Sequence, residues 1–161
     1  MPLLIDRKPV TDDSWRRVDD ETEQLPLQGD LIVPLALLQQ HPEWLNSDSV
    51  RIAPLVRGDD DLAPLLERLE QLPLIAVEFP VFRDGRGFSI ARLLRRAGYS
   101  GQLRACGQFA RDQLGYLERC GFNAFEFSDE AYSEEFLKAF TEISVHYQGC
   151  ADDPRPIYLQ H

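Results

Sequence analysis

Leu74-Ile75-Ala76-Val77-Glu78-Phe79-Pro80-Val81-Phe82-Arg83-Asp84-Gly85-Arg86-Gly87-Phe88-Ser89 is the stretch that decides the fold of this chain. A four-residue apolar run opens it, a polar crest with two arginines, an aspartate and two glycines follows, and Ile90, Leu93, Leu94 and Ala97 then recur on one helical face. The pattern is strand, crest, helix. Working outward, the same cycle recurs on both sides. Val50 to Val56 reads as a strand, with Pro54 arguing for an edge or a bulge because it cannot donate to a ladder. Arg57-Gly58-Asp59-Asp60-Asp61 is a turn with carboxylates placed as helix caps, and Leu62, Leu65, Leu66 and Leu69 follow at helical spacing. Downstream come a strand at Gln102 to Cys106, a helix with Ala110, Leu114 and Leu117, a strand at Asn123 to Phe127, and a last helix with Phe136, Phe140 and Ile143. Gly98 and Gly121 stand where the helices should stop.

Strands spaced by roughly 22 to 28 residues are too far apart for hairpins and suit right-handed β-helix-β crossovers, which lay strands parallel. The expected fold is therefore α/β, with a mainly parallel sheet built from successive βα units. It is either an open Rossmann-like sheet or a partial β/α barrel, since so few units cannot close eight strands. Ile75, Val77, Leu93, Leu94, Leu114, Leu117 and Phe125 are the expected core. One domain fills the 161 residues: a polar segment over 1–30, a core over 31–148 and a tail over 149–161. In the first segment Leu3-Leu4-Ile5, Asp6-Arg7-Lys8 and Pro9-Val10 suggest a hairpin, and Trp15 a pin to the body, while Asp19 to Glu23 reads as a solvated charge run. Leu31-Ile32-Val33 is a further strand, with Pro34 in the first turn of a helix that carries Leu35, Leu38 and Trp44.

A formal charge of −10, with 27 acidic against 17 basic residues, opposes nonspecific nucleic-acid binding and adhesion to an acidic membrane. No apolar run has the length of a membrane span and the N-terminal residues carry no leader pattern, so a cytoplasmic location is expected. Association into a homo-oligomer stays open. Cys106, Cys120 and Cys150 lack the spacing of a disulfide framework, a zinc site or a dithiol centre, and read as free thiols. His41, His146 and His161 are isolated, which leaves no metal expectation. No dinucleotide fingerprint exists either, because position 90 after Gly85-x-Gly87 is isoleucine. No cofactor is expected.

Ligands in parallel α/β sheets gather beyond the carboxyl ends of the strands. There the sequence places Arg57, the crest at 83–89, Gln108, Phe127-Ser128-Asp129 and the helix opening Arg111-Asp112-Gln113. Arg83 and Arg86, with Gly85, Gly87, Phe88 and Ser89 at a helix start, suit a small oxyanion, because guanidinium forks and exposed amides match its acceptors. The bland alternative is that Asp84 neutralises an arginine and the loop only caps a helix. Glu78, Arg104 and Glu126 fall in strands buried on both faces, where a charge needs a partner. They read as a buried Glu-Arg-Glu ladder, or as a site in which Glu78 or Glu126, with Asp84 at the crest, serves as acid or base.

Phe79 to Ser89 joins Ala91-Arg92-Leu93-Leu94-Arg95, Gly98-Tyr99, Gly101, Leu103-Arg104-Ala105, Gly107, Arg111-Asp112-Gln113, Arg119-Cys120-Gly121-Phe122 and Phe125-Glu126 in a set that resembles one bacterial family of unknown function. Val33-Pro34-Leu35 and Tyr147-Gln148 extend the likeness more loosely. Members of that family are usually encoded beside the sulfite reductase hemoprotein, and the family is labelled an oxidoreductase involved in sulfite reduction. One departure is visible: the family tends to carry an acid after the glycine of the third strand, and Gln108 follows Gly107 here. The resemblance implies a place in assimilatory sulfite reduction, as an accessory protein that binds a small oxyanion at the arginine rim or docks to the reductase. A small enzyme acting on a phosphorylated or sulfur-oxyanion substrate is the alternative. The oxidoreductase label finds no flavin, nicotinamide, iron-sulfur or dithiol signature to support it.

Overall fold

The computed structural model describes residues 2–127, 134–143 and 154–155. Eight strands form one sheet: β1 (Leu3–Ile5), β2 (Lys8–Val10), β3 (Trp15–Arg17), β4 (Gly29–Pro34), β5 (Val50–Val56), β6 (Leu74–Phe79), β7 (Gln102–Gly107) and β8 (Ala124–Glu126). The helices are α1 (Leu35–Gln40), α2 (Ala63–Leu66), α3 (Arg86–Arg96) and α4 (Leu114–Cys120). In space the strands run β2-β1-β8-β7-β6-β5-β4-β3, all parallel from β3 to β8, with β1 antiparallel to both β2 and β8.

From β3 to β8 the order never reverses, so every crossover turns the same way and the helices share one face. Their side chains Leu35, Leu65, Ile90, Leu94, Leu114 and Leu117 pack in one core with Val33, Val56, Ile75, Val77, Leu103 and Phe125. The opposite face holds a second, smaller cluster of Ile32, Ala53, Leu55, Leu74, Ala76 and Cys106, against which Trp15 packs. Without a reversal there is no switch-point crevice of the doubly wound kind. The sheet curls instead. Five inter-strand steps of about 4.8 Å would hold β3 and β8 roughly 24 Å apart if flat, yet Arg17 Nη2 of β3 donates to Glu126 Oε1 of β8 at 3.0 Å. The sheet is a half-barrel, and small residues at 53, 76 and 124 on its inner face leave room for the curl.

The N-terminal hairpin forms as expected, through a two-residue turn in which Asp6 and Arg7 both have positive φ. The strand at 15–17 and the insertion of β1 beside β8 go beyond what the sequence pattern indicates. Pro54 lies between two partners, but β5 meets β6 only at Leu55 and Val56, so the missing donor sits where the strand is locally an edge.

Four expectations need correction. The helix expected to carry Leu62 through Leu69 is one turn, Ala63–Leu66, followed by a 3-10 turn at Leu69–Gln71, because the backbone leaves helical geometry at Arg68. Leu93 is 44% exposed on the outer face of α3, not core. Trp44 sits in a 3-10 turn, Pro42–Asn46, and stacks on His41. The last helix is a 3-10 helix, Glu134–Phe140, with Ile143 outside it and exposed. Gly98 and Gly121 end α3 and α4 with positive φ, as the sequence indicated.

Candidate functional site

Curling brings the carboxyl ends of the parallel strands round one mouth, and an alternating chain of charges crosses it. Arg104, in the middle of β7 and fully buried, donates from Nη1 and Nη2 to the Asp13 carboxylate at 2.7 and 3.1 Å, and from Nη1 to Glu126 at 3.4 Å. With its amide turned to accept, Gln102 meets the same guanidinium at 3.1 and 3.2 Å. Glu126 takes its closer bond from Arg17, which lies 3.7 Å from Glu78. Glu78 accepts from Arg57 Nε at 2.6 Å, and Arg57 closes the series on Asp20 at 2.7 and 3.0 Å. Asp13, Asp20, Glu78 and Glu126 thus face Arg17, Arg57 and Arg104, four carboxylates against three guanidinium groups.

The expected Glu-Arg-Glu ladder is therefore only partly made. Glu126 touches Arg104, whereas Glu78 turns to Arg57 and Arg17. Asp13, Arg17 and Asp20 carry no local signal for this role, since each meets a partner 37 to 109 residues away, and in the sequence Asp20 reads only as part of a solvated run. The alternation of Trp15 and Arg17 inward with Arg16 outward was the available signal, over three residues only. The hydrogen bonds that Arg57 donates to Asp20 and then to Glu78 push its pKa up, and the bond to Asp20 pulls the pKa of that carboxyl down. Cys106, fully buried beside this network, donates to Val77 O at 3.3 Å, and burial pushes its thiol up to about 12. Cys120 is also buried; Cys150 lies outside the described residues.

The crest, residues 80–89, stands beside this mouth. Asp84 does the capping: one of its oxygens accepts the Arg86 amide at 3.1 Å and the Arg86 Nε at 2.9 Å, and the other accepts Nη2 at 2.8 Å. Arg86 also bonds Asp59 and lies so close over Gly58 that a side chain there would overlap it. Two carboxylates thus occupy the guanidinium that the sequence offered to a ligand. Arg83 and Ser89 are exposed, and Arg83 has no ion pair or side-chain hydrogen bond among the described residues. Open space lies above Gly85, while Gly87 backs onto the Phe79 ring. Phe88 leans on the same ring at 5.3 Å and on Tyr116 at 5.0 Å, so it is packing. Val81 and Phe82 are 54% and 50% exposed.

The rest of the rim is spoken for in part. Arg111 bonds Glu142 and the Glu135 carbonyl, Gln113 accepts the Ala110 amide at 3.1 Å, and Gln108 and Asp112 are exposed. Ser128 and Asp129 lie outside the described residues, as do Tyr147, Gln148, His146 and His161.

The bond network of Arg86 holds the Asp84 carboxyl down at about 2, against an ordinary 3.8. Such a group is a permanent anion near neutrality rather than a proton shuttle. Because its folded pKa is depressed, the stability it adds is complete above 3.8 and is lost as pH falls through about 2. Acid melts of Asp84→Asn should accordingly lose less stability than wild type between those two values; parallel curves would show that the pair contributes nothing.

No helix among the described residues is long and apolar enough to cross a membrane. No curated protein and no solved structure matches the chain. A family model described as bacterial protein of unknown function (DUF934) matches residues 54–158, a span that takes in β6 to β8, the crest, Arg57 and both glutamates of the mouth, but not Asp13, Arg17 or Asp20. On that match, the chain belongs to this bacterial family of unknown function.

Proposed function

We propose that the protein is an accessory component of assimilatory sulfite reduction that docks to the reductase hemoprotein through its crest. The link to sulfite reduction comes from the likeness of residues 79–89 and their neighbours to a family encoded beside that hemoprotein. The docking surface rests on one observation: Val81 and Phe82, each about half exposed, stand next to Arg83, a guanidinium with no partner among the described residues. Aromatic side chains, phenylalanine among them, and arginine are enriched at protein interfaces relative to the rest of the surface.

The space above Gly85 favours a second reading, in which Arg83 and Ser89 receive a small oxyanion such as sulfite, with Arg86 already neutralised. Nothing comparable favours a carboxylate enzyme, since Glu78 and Glu126 are each tied to arginines and Asp84 stays ionised.

Two titrations separate the first two. Phe82→Ser should weaken binding to purified hemoprotein about tenfold, the loss of one interface anchor, and leave the response to sulfite at low ionic strength intact. Arg83→Ala should weaken docking as well, and would abolish a sulfite-dependent rise in melting temperature if the oxyanion site exists. Equal hemoprotein binding by wild type and both variants would sink the docking proposal.

A further inference from the structure

At the opposite end of the sheet, Pro54 delays the meeting of β5 and β6 until Leu55, so the first half of β5 stands apart from the start of β6. A cavity of about 350 Å³ occupies that splay, bounded by Val50, Ile52 and Pro73. A second, of about 380 Å³, opens between α1 and α2, because α2 is a single turn too short to cover the groove. Both are lined by Leu45 and Arg68, so the two adjoin. Each lies in the size range of small-molecule sites.

Their chemistry differs. The first is lined by Ser47, Arg51, Arg68 and Gln71. Arg51 is committed to Asp30 at 2.6 Å, but the side chains of Ser47, Arg68 and Gln71 have no hydrogen bond among the described residues. Three uncommitted donors, one of them a half-buried guanidinium, therefore line one cavity. The second is walled by Leu38, Pro42, Leu45 and Pro64, with Gln39 committed to the Asp61 carbonyl and Glu67 exposed at its edge. Arg68 borders both cavities, but only the second also carries a carboxylate, Glu67, so a negative head group is favoured in the first.

We propose that these adjoining cavities form one binding site for an amphipathic carboxylate, its head on Arg68, Ser47 and Gln71 and its apolar tail in the α1–α2 groove. The head-group cavity lies at the amino ends of β5 and β6, and no residue of the crest lines either cavity. The guanidinium supplies a charge-assisted fork and the leucine and proline walls supply burial of the tail.

Decanoate, decanol and acetate titrated into the whole protein, followed by amide chemical shifts, test it. Decanoate should shift residues around Leu38, Leu45 and Arg68, and acetate should bind far more weakly. Arg68→Gln should weaken decanoate about tenfold or more, the worth of a charged hydrogen bond, while leaving decanol affinity unchanged. Leu45→Gln, at a half-buried position on the edge of the core, should weaken decanoate and decanol alike in a variant whose melting temperature shows it folded. Equal decanoate affinity in wild type and Arg68→Gln, with the variant's melting temperature preserved, would overturn the proposal; so would decanoate shifts confined to the crest or absent altogether.

Discussion

Replacing Arg104 by methionine is expected to lower the unfolding free energy by about 3 kcal/mol, the low end of what breaking a buried ion pair costs. Methionine matches the length and fills the space, so the loss is electrostatic: Asp13 loses its guanidinium partner and Glu126 keeps only Arg17. The low end applies because Asp13 is 29% exposed and retains part of its hydration. Denaturant melts of Arg104→Met, Asp13→Asn and the double variant check it. The double variant should recover part of the loss, as neighbours sharing one interaction do not add. Unchanged stability in Arg104→Met would mean that the charges do not hold the curled sheet.

The second large effect belongs to Gly107→Ala, expected to cost about 3 kcal/mol where strain and a backbone clash combine. Gly107 ends β7 with φ +96°, and a methyl group there would overlap the carbonyl oxygen of Phe79, which also accepts the Gln108 amide at 2.7 Å. Gly98 is the built-in control, with the same φ of +96° and nothing near the added methyl. Gly98→Ala should cost only about 1 kcal/mol, the conformational part alone. Equal losses would show that backbone geometry, and not the close approach of β6 and β7, decides the position.

Local signals carried much of this architecture in the sequence. The apolar run at Val50 to Val56 reads as a strand, Gly98 and Gly121 mark the helix ends, and Asp6-Arg7-Lys8 marks a hairpin turn that closes over Asp6 and Arg7, with Lys8 already in β2. Charged residues in doubly buried strands announced that Arg104 needed a partner. Which partner could not be read, because Asp13 is 91 residues away and joins only once β3 folds across the mouth. The same limit hid Arg17 and Asp20. Helical spacing misled at Leu66 and Leu69, where periodicity persists although the chain breaks its helix at Arg68. At the crest the residue types were right and the outcome turned on geometry: Asp84 reaches both the helix amide and Arg86, and leaves Arg83 as the exposed cation.

Growth of a strain lacking this gene, with sulfate, sulfite or sulfide as the sulfur source, tests the functional account most directly. An accessory role in sulfite reduction predicts poor growth on sulfate and on sulfite, restored by sulfide and by the wild-type gene but not by Phe82→Ser, Arg83→Ala. Normal growth on sulfate and sulfite without the gene would contradict it.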